Sequence, residues 1–155
     1  GAPWRSVQTS PSNIALGKVL GEGAHATVHA GTFQKKQVAV KNFRNTGEES
    51  AFKEIEITFS LRHPHIIGLY AWFKAAGALT PFGMVLELAH SDLRSCYKEE
   101  KFTLEIGLKI VTGAAKGLAY MHTMPEPVVH RDVKVGAAVL CWQYHGVSFS
   151  ALFLH

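Results

Sequence analysis

Four stretches of this sequence carry residue types that could do chemistry together. The first, Gly21-Glu22-Gly23-Ala24-His25-Ala26-Thr27-Val28, is a glycine-rich turn between two extended runs. Missing side chains there let backbone N–H groups approach phosphate oxygens. Ala26 stands where a third glycine would complete the pattern, and two glycines taken alone describe any tight hairpin. The strand–turn–strand setting argues against a dinucleotide site, in which a helix follows the glycines directly. The second stretch is Val38-Ala39-Val40-Lys41, an apolar strand ending in a lysine 20 residues after Gly21. The third centres on Glu54, which shares a helix surface with Ala51, Ile55 and Thr58. A carboxylate on an inward face needs a cationic partner, and Lys41 is available; Glu56 is the competing carboxylate. The fourth, His130-Arg131-Asp132-Val133-Lys134, gathers an imidazole, a guanidinium, a carboxylate and an ammonium just after Val128-Val129.

The elements that must position these groups follow from periodicity. Ile14–Gly23, Thr27–Phe33 and Gln37–Phe43 read as three antiparallel strands. Glu48 and Glu49 suit a helix N-terminus; Phe52, Ile55 and Phe59 recur at helical spacing, and Pro64 stops the helix. Ile66–Phe73 and Phe82–Leu88 add two strands around a loop at 75–81. Beyond a hinge near Ala89 the pattern turns helical, with a short helix expected over Ser91–Glu99. A longer helix starts from Thr103 as N-cap, with Ile106, Ile110, Ala114, Leu118 and Met121 on one face.

Composition narrows the function classes. The chain has 155 residues, 47% hydrophobic and 18% charged, with 16 basic against 12 acidic side chains and a net charge of +4. The charges are spread without a basic cluster or interleaved aromatics, so no nucleic-acid partner is expected. Trp4, Trp72 and Trp142 are too scattered for a binding platform. Cys96 and Cys141 make no disulfide framework, and a cytoplasmic setting, or the cytoplasmic side of a membrane protein, is the default. No secretory leader pattern opens the sequence. Val135–His155 lacks acidic and basic side chains other than His145 and His155, but Gln143, His145, Gly146, Ser148 and Ser150 interrupt it as a membrane span. His63-Pro64-His65 reads as a helix-to-strand loop, and without any Cys-x-x-Cys no zinc site is expected.

In this order and spacing the four stretches resemble the protein kinase domain, over Ile14–Lys134. Gly117-Leu118-Ala119-Tyr120-Met121-His122 and the His130–Lys134 stretch are similar to the tyrosine-kinase-like group, particularly receptor-like kinases. The resemblance implies an α+β fold: a five-stranded antiparallel N-lobe with one helix at 14–88, then the first helices of an incomplete helical C-lobe at 89–134. Residues 1–13 are an N-terminal extension and 135–155 a tail outside the family pattern. It also implies ATP and Mg²⁺ as cofactors and a protein Ser/Thr substrate, with Tyr as the other possibility. Gly21, Glu22, Gly23, Ala24, His25, Ala26 and Val28 would cover the ATP phosphates, Lys41 would bind the α and β phosphates, and Glu54 would hold Lys41. Leu20, Val28 and Ala39 would sandwich the adenine, the backbones of Glu87 and Ala89 would bind its edge, and Leu86 would be the gatekeeper. Asp132 would be the catalytic base, Arg131 would tie its loop, and Lys134 would contact the transferred phosphate.

Two departures bear on activity. Five residues after Asp132 the family has an Asn ligand for Mg²⁺, and this chain has Ala137; no Asp-Phe-Gly follows. The expectation is therefore no metal ligand here and no phosphotransfer by this chain alone. The alternative is a pseudokinase or truncated regulator that binds nucleotide or a partner, and a membrane-tethered fragment using 135–155 ranks last. The Lys134-Val135-Gly136 junction permits a splice-donor GT at the Val135 codon, so the tail is expected to be intron-derived. Thr58 is a smaller departure, one turn after Glu54 where the family packs an apolar side chain.

Overall fold

Gln34 and Lys35, at φ 49° and 65°, make the two-residue left-handed turn whose twist matches a tight hairpin, and the sheet grows outward from it. The computed structural model describes residues 1–74, 82–89, 91–92, 98, 103–129, 138–143 and 146–151. They fall into two compact units, one of 1–61 with 68–88 and one of 62–67 with the described part of 89–154.

In the first unit β1 (Gln8–Thr9), β2 (Ile14–Glu22), β3 (Ala26–Phe33), β4 (Lys36–Phe43), β5 (Leu69–Lys74) and β6 (Phe82–Glu87) form one sheet in the order β1-β5-β6-β4-β3-β2. The five longer strands are antiparallel to their neighbours. The sixth, β1, is parallel to β5 and pairs Gln8 with Trp72 and Thr9 with Phe73. Alternation along β4 sends Val38 and Val40 into a core with Phe33, Ala71, Phe73 and Val85, while Ala39 and Lys41 go to the other face. Gly83 is held to glycine by this packing: a Cβ would overlap the Phe73 ring and come within 2.8 Å of the Lys41 carbonyl.

Helix α1 (Glu48–Ser60) follows Gly47 with Glu48 and Glu49 in its first turn, where the helix dipole favours carboxylates. Ala51 and Ile55 are fully buried beneath it. The helix ends at Ser60, four residues before Pro64, because Leu61 turns extended (φ −82°, ψ 100°) and buries its side chain. The breaker is thus Leu61, and the proline lies in the loop beyond.

In the second unit α2 (Leu104–His122) is capped by Thr103, whose hydroxyl accepts from the Ile106 N–H at 3.2 Å. Ile110 and Met121 are buried; Ile106, Ala114 and Leu118 are half-buried. Gly117 lets the loop come close, since a Cβ would lie 3.3 Å from the His65 carbonyl. Tyr120 Oη accepts from the Arg62 N–H at 3.1 Å, and its ring lies 5.0 Å from that of His63. A second sheet joins β7 (Ser91–Asp92), β8 (Ala138–Gln143) and β9 (Gly146–Ala151) in that order. Ser91 and Asp92 therefore begin a strand and not the expected helix, their backbone paired to Leu140 and Val139; Lys98 is helical. The rest of 93–99 lies outside the described residues.

Candidate functional site

Lys41 is the one charged side chain among the buried described residues, and an unpaired ammonium there would be costly. Its Nζ meets Glu54 Oε1 at 2.5 Å, so the strand end and the inward edge of α1 are joined by a charge-assisted hydrogen bond. The Phe43 ring lies 5.3 Å from the same ammonium. Cross-strand pairing with Val28 and Met84 fixes the height of Lys41 on the sheet. Glu56, the competing carboxylate, is exposed. Thr58 takes its polarity inward by donating to the Glu54 carbonyl at 2.8 Å, which explains how a hydroxyl is tolerated one turn on.

The glycine-rich turn closes through the Gly23 N–H, which donates to the Ala26 carbonyl at 2.9 Å. Arg44, one residue beyond β4, supports it: its backbone N–H donates to the His25 carbonyl at 2.6 Å and its guanidinium to the Gly23 carbonyl, with Glu22 Oε1 3.9 Å away. A trans peptide sets C=O and N–H antiparallel, so tying the Gly23 carbonyl to Arg44 turns the Ala24 N–H to the opposite side. A Cβ at Gly21 would meet nothing within 4 Å, and at Gly23 only the Ala26 carbonyl at 3.7 Å. Packing does not demand glycine at either position. Arg44 was not legible in sequence, since its partners are backbone atoms about 20 residues earlier.

Of the residues assigned to the adenine, Leu20, Val28, Ala39, Leu86 and Glu87 lie on the sheet of the first unit. Ala39 and Leu86 are cross-strand partners and both buried, Val28 is half-buried, and Leu20 is 46% exposed. The Glu87 N–H donates to the Gly68 carbonyl at 2.9 Å. Ala89 is half-buried.

After α2 the Val128 N–H donates to the Met121 carbonyl at 3.1 Å, folding the chain back on the helix end. Arg131, Asp132, Lys134 and Ala137 lie outside the described residues, between Val129 and the start of β8. Among the described residues no three His, Cys, Asp or Glu side chains are grouped to hold a metal ion. In the 63–65 loop, His63 Nδ1 accepts from the His65 N–H at 3.1 Å. Desolvation first, then the nearby His65 and Lys116, lower the pKa of His63 below its ordinary 6.5. Among the described residues no helix is long and apolar enough to cross a membrane.

Comparison with known proteins finds relatives among protein kinases. A probable serine/threonine-protein kinase of Dictyostelium discoideum is 34% identical over 142 residues, covering 86% of this chain and 8% of that protein. Human activin receptor type-1B is 33% identical over 144 residues, covering 86% and 28%. Arabidopsis thaliana U-box domain-containing protein 34 is 31% identical over 144 residues, covering 89% and 18%. The chain thus spans less than a third of the length of these relatives. The family model for the protein kinase domain matches residues 14–143, which includes β8 and so part of the stretch set apart as a tail. This chain belongs to the protein kinase domain family.

Proposed function

We propose that the chain is part of an ATP-dependent protein kinase that phosphorylates Ser or Thr in a protein substrate, acting in the cytoplasm. The observation that carries the reading is the fully buried Lys41 held at 2.5 Å by Glu54, in register through Val28 with Gly21 of the glycine turn. Lys41 would neutralise the α and β phosphates, with the Gly21–Val28 backbone covering them and Ala39, Val28 and Leu20 flanking the base. Asp132 would take the proton from the substrate hydroxyl as that oxygen bonds to the γ-phosphorus and the bond to ADP breaks. Arg131 would steady the loop and Lys134 would balance the transferred charge. When bound, Mg²⁺ neutralises phosphate charge in this family. The residues present do not fit a magnesium centre: no ligand group occurs among the described residues, and Ala137 offers no oxygen.

Ala137 favours a second reading, nucleotide binding without transfer. The test, on the whole protein in which this sequence occurs, is transfer of labelled γ-phosphate to a Ser/Thr peptide library, with Asp132→Asn as control. Transfer lost in that variant supports the kinase reading. ATP binding without transfer selects the second, and absence of both discards the two together.

A further inference from the structure

We infer that Trp4 is a positioning residue for the Lys41–Glu54 pair, and that the segment before the kinase match is a brace for helix α1. The inference rests on the reading that this pair binds the ATP phosphates.

The segment is built to dock. Pro3–Val7 is a single 3-10 turn with proline at its start, where the missing N–H costs nothing, and Gln8–Thr9 then adds to the sheet edge beside Trp72 and Phe73. Between these anchors Trp4 is buried, its ring centroid 5.2 Å from Phe52 and 5.3 Å from Trp72. Phe52 in turn meets Trp72 at 5.5 Å and Phe82 at 4.9 Å, both edge-on. The Trp72 indole N–H donates to the Trp4 carbonyl at 3.0 Å, and the Arg5 guanidinium lies 4.6 Å from the Trp4 ring and 5.4 Å from that of Phe52.

Helical geometry connects this cluster to Glu54. At 100° per residue, Phe52 and Glu54 flank the stripe whose centre is the fully buried Ala51 and Ile55. The helix is therefore seated along two edges, the aromatic cluster on one and the ion pair on the other. A roll of α1 about its axis that released Phe52 from Trp4 would turn Glu54 through the same angle and shift it from its position against Lys41. The Trp4 indole nitrogen is buried with no hydrogen-bond partner among the described residues, so the ring acts by stacking and phenylalanine should substitute for it.

The test combines hydrogen exchange with ATP titration on the full chain carrying Trp4→Ala, Trp4→Phe or Arg5→Ala. Trp4→Ala should speed exchange of the α1 amides and weaken ATP binding, each by about tenfold, with β3 and β4 amides unchanged. Trp4→Phe should bring both back to within about threefold of the parent. Arg5 is exposed, so Arg5→Ala should fold in any case and show the same α1-confined change at about two- to threefold. Unchanged α1 exchange in Arg5→Ala and in a folded Trp4→Ala would overturn the brace. Faster exchange spread evenly over the sheet would overturn it too. If the parent chain binds no ATP, the nucleotide reading fails, and α1 exchange still decides whether Trp4 braces the helix.

Discussion

Glu54 Oε1 reaches Lys41 Nζ at 2.5 Å across 13 residues of sequence, joining a side chain with no exposure to one that is 30% exposed. The pair is asymmetric: the carboxylate can rehydrate if its partner is lost, whereas the ammonium is enclosed.

That asymmetry predicts an order of stability. Lys41→Met fills the same space and strands only a carboxylate with access to water, so the loss should stay below about 2 kcal/mol. Glu54→Leu takes the carboxylate from an enclosed ammonium and should cost more, about 3 kcal/mol. Urea denaturation of the two variants measures this, and equal losses would contradict the asymmetry.

Gly83→Ala should destabilise the first unit by about 1–3 kcal/mol, because the added methyl overlaps the Phe73 ring between two paired strands. Gly21→Ala, where nothing lies within 4 Å, should leave stability within about 0.5 kcal/mol and act on nucleotide affinity alone. Melting curves beside ATP titrations separate the two effects.

His63 gives a pH signature. Its folded pKa is lowered by desolvation and then by His65 and Lys116, so the unfolded chain binds more protons below 6.5. Stability from this group is complete above pH 6.5 and falls as the pH drops from there toward the lowered folded pKa. His63→Gln should flatten the dependence of unfolding free energy on pH just below 6.5. An unchanged slope would show that the neutral ring accepting from the His65 N–H is not what titrates.

Helix α2 exposes Leu104, Leu108 and Val111 at 80%, 60% and 68%, a row at helical spacing opposite its buried side. An apolar row of this kind promotes self-association. Leu108→Glu with Val111→Lys should lower the aggregated fraction in sedimentation without changing helix content by circular dichroism. The parent remaining monodisperse at equal concentration would contradict this.

The long strands of the first sheet were legible because their apolar runs end in glycine or turn residues, and Thr103 announced α2 through its own side chain. The Lys41–Glu54 pair was legible for a different reason: an inward carboxylate demands a cation. What sequence hid was either short or distant. Gln8–Thr9 is too short and polar to show a strand period, and its parallel pairing depends wholly on β5. Trp4 and Trp72 stand 68 residues apart and meet only because that edge pairing brings them together. Ser91–Asp92 is extended because its backbone pairs with β8, a long-range partner that local propensity cannot report.

The affinity of the chain for ATP, measured by calorimetric titration of the parent and of Lys41→Met under conditions where both are folded, tests the phosphate site most directly. The parent should bind saturably and the variant should lose at least about tenfold, since truncating one partner of a buried charge contact removes at least about 1.4 kcal/mol. Equal affinity in the two proteins, or no binding by the parent, would contradict the claim that the buried lysine and its glutamate are a phosphate site.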